Sequence, residues 1–265
     1  MNDASHPPSS AAAVQRADSG GVCVLRLNRP AQYNALSRDL LERLHAELDA
    51  IAANPEVRVV VVTGTGKAFC AGHDLREMRA LPQDEVAALF ASCTAMMQKL
   101  TALPQPVIAA VNGIATAAGC QLVAQCDLAV ASEEARFAVS GVNLGLFCST
   151  PAVPLSRNIA RKRAAEMLFT GEFIDARTAL DWGLVNRVAP AGGLMPAVQE
   201  LAGKLLAKPR EVLALGKALF YRQLEERMAP AYRDASCTIV DNMAGRIAQE
   251  GVAAFLEKRE PDWKK

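Results

Sequence analysis

The sequence predicts an α/β fold, with strands and helices alternating over about the first two-thirds of the chain and amphipathic helices beyond. Three features carry that prediction. Residues 57–62 are nearly all valine, and a β-branched run that is apolar on both faces fits a strand buried within a parallel sheet. Just before it, Leu40, Leu44, Leu48 and Ile51 recur at helical spacing. After Pro154 nearly every apolar pattern is helical, residues 184–188 being the one extended stretch.

Taken in order, Val22–Leu27 reads as a short apolar strand. Ser37 caps the following helix, which stops at Asn54-Pro55 because the residue before a proline is driven out of helical geometry. The valine strand follows. A loop over 64–72 leads into a short helix over 75–80. A long helix over 84–103 comes next, with Val86, Leu89, Phe90, Cys93, Met97 and Leu100 on one side. Pro104-Gln105-Pro106 ends it. Val107–Val111 is the next strand, Asn112-Gly113 a turn, 119–125 a short helix and 128–131 another strand. Such alternation calls for right-handed crossovers. Later helices are expected over 162–169, 175–182, 194–207, 211–226 and 232–248. No linker divides the two parts, so they are expected to pack together. The surplus of apolar helix faces near the end predicts oligomerisation.

Composition narrows the function classes. The chain has 265 residues, 51% of them hydrophobic, and 29 basic against 28 acidic residues leave a net charge of +1. A chain this long buries roughly 70–75% of its unfolded surface and needs neither disulfide nor metal to fold. Near-neutral charge offers no field for nucleic acid or an acidic membrane, and no apolar run approaches the roughly 18 residues of a membrane span. Only three histidines are present, which disfavours a His-rich metal site and leaves carboxylate acid–base chemistry open. The seven cysteines form no C-x-x-C pair and read as buried free thiols in a reducing compartment. Residues 1–20, rich in Ala, Ser and Pro, read as a disordered tail.

Chemistry fits two glycine-bearing loops, each expected between a strand and a helix: residues 63–75 (TGTGKAFCAGHDL) and 112–121 (NGIATAAGCQ). Backbone N–H groups at a helix start lack helical partners, and two aimed at one point make an oxyanion hole. Small residues at Ala71, Gly72, Ala117, Ala118 and Gly119 would let a substrate carbonyl approach. The same residues serve tight turns and close packing equally well. Neither loop has the glycine spacing of a dinucleotide or P-loop site.

Several strings occur in a telling order: Asn34-Ala35-Leu36, Ala71-Gly72-His73-Asp74-Leu75, Asn112-Gly113 leading to Gly119-Cys120, and Cys126-Asp127. With Leu168-Phe169-Thr170-Gly171, the ALDWGLV of 179–185 and the GVAAFLEKREP of 251–261, they resemble the enoyl-CoA hydratase/isomerase (crotonase) family from about Val22 to the C-terminus. ATAAGCQLVA and GVNLGLFCSTP look most like its subgroup of enoyl-CoA hydratase domain-containing protein 3. The resemblance implies a crotonase-like ββα spiral core over 21–190 and a C-terminal helical trimerisation region over 191–265, assembled as a homotrimer or a dimer of trimers. It implies a coenzyme A thioester as substrate, in fatty-acid or related acyl-CoA metabolism, with no separate cofactor and no metal. It assigns the thioester carbonyl to the backbone amides of His73 and Ala118, and coenzyme A to Ala35, Ala71, Asp74 and Leu75. Phe255 and Lys258 match positions that can reach a neighbouring subunit's coenzyme A, although Lys258 would equally be a solvated charge. The implied setting is the bacterial cytoplasm, or the mitochondrial matrix in a eukaryote.

The chain departs from the resemblance at the two glutamates that hydratases of the family use. Their positions fall at Gln121 and Gly141. A positioned acid or base is worth roughly 10²–10⁴ in rate, and a carboxamide orients water but takes no proton at neutral pH. Hydration is therefore expected to be slow or absent, while the backbone part of the site is untouched. Cys148, the His73 imidazole and Asp74 are the groups left that could act as nucleophile or base. Each has a plainer alternative: a helix cap and pocket wall for Cys148, a hydrogen-bonded ring for His73 and a carboxylate at a helix N-terminus for Asp74. The readings left open are another enolate-type acyl-CoA reaction (isomerase, decarboxylase or thioesterase) and a non-catalytic acyl-CoA-binding scaffold.

Overall fold

The computed structural model describes residues 12–263. Strands β1 (Val14–Ser19) and β2 (Val22–Leu27) form an antiparallel hairpin closed by Gly20 and Gly21, both at positive φ as a two-residue hairpin loop requires. This corrects the expected tail: residues 1–11 of it lie outside the described residues, but 14–19 are a strand. Its alternation of polar residues faces solvent, and only Ala13 and Val14 enter the core. An edge strand with a polar outer face carries little hydrophobic signal.

Helix α1 (Arg38–Ala53) starts at Ser37, whose hydroxyl accepts from the Leu40 amide, and buries Leu40, Leu41, Leu44, Leu48 and Ile51. Then come β3 (Val59–Gly64), β4 (Ala68–Cys70), α2 (Leu75–Ala80) and α3 (Gln83–Ala102). The pattern repeats with β5 (Val107–Val111), β6 (Ile114–Thr116) and α4 (Ala118–Gln125), and again with β7 (Leu128–Ser132), β8 (Arg136–Ala138), α5 (Ser149–Asn158) and α6 (Arg161–Thr170). Each ββα repeat sends its first strand to a six-stranded sheet, ordered β1-β2-β3-β5-β7 and closed by β10 (Arg187–Ala189). Its second strand goes to a smaller sheet, β4-β6-β8, edged by β9 (Ile174–Asp175). β2, β3, β5, β7 and β10 run parallel. β3 is buried on both faces: Val60 and Val62 enter the main core, Val59 and Val61 the second one.

That second core is sealed by α8 (Leu194–Leu206), which follows α7 (Ala176–Trp182) and β10 and packs Val198 and Ala202 onto the sheet. The helix at 194 thus belongs to the body. The helical tail is α9 (Arg210–Leu224), α10 (Met228–Ala244) and α11 (Arg246–Glu257). One buried cluster holds α9 to the body. Lys217 Nζ donates to the Leu100 carbonyl (2.7 Å), the Gln105 carbonyl (2.9 Å) and Asp127 Oδ2 (2.6 Å). Tyr221 donates to Asp127 Oδ1 (2.7 Å), and the Val107 amide to Asp127 Oδ2 (2.6 Å). Burial pushes the Lys217 ammonium below its usual range against the pull of Asp127. Cavities of about 270 and 500 Å³ flank α9. Phe220, Leu224, Met228, Tyr232, Ile239 and Val240 are exposed along α9 and α10, and α10 buries none of its residues.

Removing Asp127 would leave the Lys217 ammonium buried without its counter-charge, a change that costs about 3–5 kcal/mol. Asp127→Ala should therefore lower the urea midpoint of unfolding sharply. An unchanged midpoint would show that the cluster does not hold α9.

Candidate functional site

Two asparagine side chains, the buried Asn34 and the partly buried Asn112, arrange the first loop. Asn34, fully buried and at φ 56, accepts from the Arg29 amide (2.9 Å) and donates to the carbonyls of Thr65 (2.9 Å) and Ala68 (2.8 Å). Asn112 accepts from the Gly64 amide (3.0 Å) and donates to the carbonyls of Gly66 (3.0 Å) and Ala68 (3.2 Å). The chain then runs beside residue 36. Leu36 donates to the Gly72 carbonyl (2.7 Å), and the Asp74 amide donates to the Leu36 carbonyl (3.1 Å). In a parallel pairing of that kind the residue between, His73, turns its own N–H to the other side.

On that other side lies the start of α4. A Cβ on Gly72 would stand 2.9 Å from the Ala117 Cβ and 3.3 Å from the Ala118 nitrogen. One on Gly119 would stand 1.9 Å from the Cys70 carbonyl oxygen, and one on Gly113 2.2 Å from that of Lys67. The two loops thus pack backbone against backbone. Ala117 carries φ 50 and ψ −121, costly for an L-residue, and its amide still bonds the Ala138 carbonyl (3.0 Å). The helix begins one residue later. Among the described residues neither the His73 amide nor the Ala118 amide has an acceptor, and the latter lies at the positive end of α4.

The side chains around these amides are neutral or neutralised. Neither ring nitrogen of His73 has a hydrogen-bond partner. The ring meets Phe90 edge-on at 4.7 Å. Burial holds its pKa below the usual imidazole value, and the nearby Leu36 backbone, which falls short of a hydrogen bond to the ring, offsets only part of that. Asp74 is committed elsewhere: it caps α2 by accepting from the amides of Arg76 (3.2 Å) and Glu77 (3.3 Å), and it pairs with Arg29 (3.0 Å). Burial alone would raise its pKa, but Arg29 and these amides hold the carboxyl below its usual range. Arg29, which the sequence did not single out, also donates to the Ala35 carbonyl (2.6 Å). Ala71 donates to the Tyr33 carbonyl, and Leu75 is half exposed at the start of α2.

Gln121 is 5% exposed, and its Oε1 has no partner. Gly141 lies in a 3-10 turn over Ser140–Leu144 that a hydroxyl pair, Thr116 with Ser140 (2.9 Å), ties to β6. Its amide donates to Cys148 Sγ at 3.3 Å. A Cβ at 141 would stand 2.6 Å from the Leu146 carbonyl oxygen and 2.8 Å from Cys148 Sγ. Burial raises the Cys148 pKa against the opposing Gly141 amide, and it pushes the Cys70, Cys93 and Cys120 thiols up to about 12. The structure therefore gathers His73, Ala118, Gln121, Gly141, Asp74 and Cys148 around the two loops. It leaves Phe255 (82% exposed) and Lys258, the left-handed C-cap of α11, on the helical tail, where α11 packs against α10.

A family model described as enoyl-CoA hydratase/isomerase matches residues 17–265. The mouse mitochondrial enoyl-CoA hydratase domain-containing protein 3 is 46% identical over 92% of this chain and 81% of its own length. A crystal structure of an enoyl-CoA hydratase from Mycobacterium smegmatis superposes with a TM-score of 0.93 at 54% identity, covering 96% of this chain and 99% of that one. The human enoyl-CoA hydratase domain-containing protein 3 does so with a TM-score of 0.91 at 44% identity, covering 95% and 100%.

Two measurements follow from the loop geometry. Gly119→Ala sets a methyl against the Cys70 carbonyl and should cost more than about 4 kcal/mol, seen as loss of soluble folded protein; a variant melting like the parent would contradict the contact. The His73 imidazole should titrate below pH 6.5 by NMR. Because its folded pKa is depressed, its contribution to stability is present above 6.5 and is lost as pH falls towards the folded value.

Proposed function

The chain belongs to the enoyl-CoA hydratase/isomerase family, and we propose that it binds an acyl-CoA thioester with the carbonyl oxygen at the His73 and Ala118 amides, while hydrating enoyl-CoA slowly or not at all. The observation that carries the second half is Gly141. The space its side chain would need is filled by the Leu146 carbonyl and Cys148 Sγ, so the missing carboxylate is closed off by packing as well as absent from the sequence. Gln121 removes the other one.

The first half rests on two unpartnered amides meeting where the loops touch. Negative charge moves onto a thioester oxygen when a proton leaves the adjacent carbon, and one preorganised donor to such an oxygen is worth roughly 10²–10³ in rate. Asp74 is bound by Arg29 and the start of α2, and the Cys148 thiol is held protonated. The free, neutral His73 ring is the group left that can accept a proton, and this favours an enolate-type reaction other than hydration as the second reading. Without a working base the site is an acyl-CoA-binding scaffold.

The wider setting we propose is fatty-acid or related acyl-CoA metabolism, with the α9–α11 faces joining copies into a homotrimer or a dimer of trimers. In such an assembly Phe255 and Lys258 of one copy would reach the coenzyme A of another. Six buried free thiols support a reducing compartment, a bacterial cytoplasm or a mitochondrial matrix. No helix among the described residues is long and apolar enough to cross a membrane.

Crotonyl-CoA should be hydrated at least about 10²-fold more slowly than by a hydratase bearing both glutamates, and Gln121→Glu with Gly141→Glu should fail to restore the rate because of the clash at 141. Hydration at the rate of such a hydratase would overturn the proposal. Exchange of the α-protons of bound butyryl-CoA with deuterated water, lost in His73→Ala, would identify the base. Tight binding without exchange selects the scaffold.

A further inference from the structure

Four non-glycine residues among the described ones carry positive φ: Tyr33, Asn34, Ala117 and Lys258. The first three shape the two loops that carry the free amides. Lys258 stands apart, at the end of α11, with φ 56 and ψ 40. That left-handed conformation costs an L-residue free energy that glycine escapes, and glycine is the usual residue at such a helix end. This chain uses it so elsewhere: α6 ends on Gly171 and α7 on Gly183, both left-handed. A lysine in that place persists only where its surroundings impose it, and backbone held in this way clusters at binding sites.

Those surroundings are a clasp made by the end of the chain. The Arg259 amide donates to the Ala254 carbonyl (3.0 Å), closing the helix around Lys258. The Arg259 guanidinium grips both carboxylate oxygens of Glu250 (2.6 and 3.1 Å) and also donates to Glu257 (2.6 Å). Glu250, its side chain only 14% exposed, accepts from the Asp262 amide as well (2.7 Å). The chain therefore doubles back along α11, and the Trp263 ring lands on Gly251, 3.2 Å from where a Cβ there would stand. Gly251, Phe255 and Lys258 follow one another at i, i+4 and i+7, down one side of the helix. The indole thus backs the turn over which the Phe255 side chain leans, while Phe255 itself stays in solvent.

We propose that Glu250, Arg259 and Trp263 form a positioning clasp, which sets the direction of Phe255 and Lys258 towards the nucleotide end of a coenzyme A held by another copy of the chain. An aromatic face beside an ammonium suits a phosphorylated purine, and coenzyme A offers one. The proposal rests on the acyl-CoA reading and the assembly given above. It adds to them residues that touch no ligand themselves and fix the pair that does. Ordering a long, rotamer-rich side chain before the ligand arrives removes part of the cost that binding would otherwise meet.

Calorimetric titration of the full chain with butyryl-CoA and with S-butyryl-pantetheine, which lacks the nucleotide, tests this, with light scattering to follow assembly. Trp263→Ala and Arg259→Met should bind butyryl-CoA roughly 5–10-fold more weakly than the parent, the worth of a well-made hydrogen bond. Both should bind the pantetheine thioester, and assemble, as the parent does. Lys258→Gly should melt at or above the parent temperature, since glycine accepts the left-handed backbone, and should still lose affinity for butyryl-CoA. Adding Trp263→Ala to a chain that carries Phe255→Ala and Lys258→Gly should weaken binding no further, because the clasp then has nothing to aim. Equal weakening of both thioesters, dissociation of the assembly, or a loss that persists in the triple variant makes the clasp merely structural and overturns the proposal. If the parent binds butyryl-CoA and the clasp variants match it, only this inference falls. If the parent binds neither butyryl-CoA nor free coenzyme A, the acyl-CoA reading falls with it.

Discussion

The site depends on one contact: the loop before α4 lies against the loop after β3 at distances that admit no side chain. Gly113 and Gly119 meet the carbonyls of Lys67 and Cys70, and Gly72 meets Ala117 and the Ala118 nitrogen. Because nothing separates the two backbones, the segments that carry the His73 and Ala118 amides lie side by side. The contact also explains the strain at Ala117. Pairing with Ala138 holds that residue to β8 on one side, and α4 begins immediately on the other, so its unfavourable φ is imposed from both directions. Asn34 and Asn112 satisfy the loop carbonyls that such a turn would otherwise orphan. On the acyl-CoA reading proposed above, this backbone contact forms the cradle for the thioester oxygen.

Those side chains leave the cradle without a free negative charge. Asp74 is matched by Arg29, the imidazole of His73 is neutral, and the nearby thiols keep their protons. An oxygen on which negative charge is growing therefore meets no opposing anion. The two departures from the hydratase pattern differ in kind. Gln121 has the size of a glutamate, so one substitution there would place a carboxylate at the position that the resemblance assigns to one. At Gly141 a side chain would meet the Leu146 carbonyl and Cys148 Sγ, so one substitution there does not fit without moving the turn.

Much of this was legible in the sequence, for physical reasons that also explain what was not. The valine strand announced itself because burial on both faces leaves no polar position, and α1 because its apolar residues keep a strict helical spacing. The small sheet did not, since β4, β6 and β8 have three residues each, too few for any period to show. β1 was hidden by its polar outer face. At the site, Gln121 and Gly141 were found by matching motifs position by position, because an absent carboxylate has no signal of its own. The partnership of Arg29 with Asp74 and Ala35 spans 45 residues of sequence and depends on a left-handed turn at Tyr33 and Asn34, which composition does not reveal. Asp127 was visible as part of Cys126-Asp127, but its task appeared only with Lys217 and Tyr221 in place.

That task ties the tail to the site by construction. Asp127 bonds the Val107 amide at the first residue of β5, and the residue after β5 is Asn112, which holds the loop under the amides. The same carboxylate takes Lys217 and Tyr221 from α9. One face of α9 is therefore fastened to the strand that positions the cradle, while apolar residues of α9 and α10 stand in solvent and α10 buries none of its own. Helices that bury so little gain most of their stability from packing, so α10 and α11 need another surface to pack on. In the assembly we propose, a second copy provides it. Burial of those helices would then stabilise α9, and through Asp127 it would stiffen the strand that leads to Asn112. Assembly and the shape of the amide pair would be linked through a single, partly buried carboxylate.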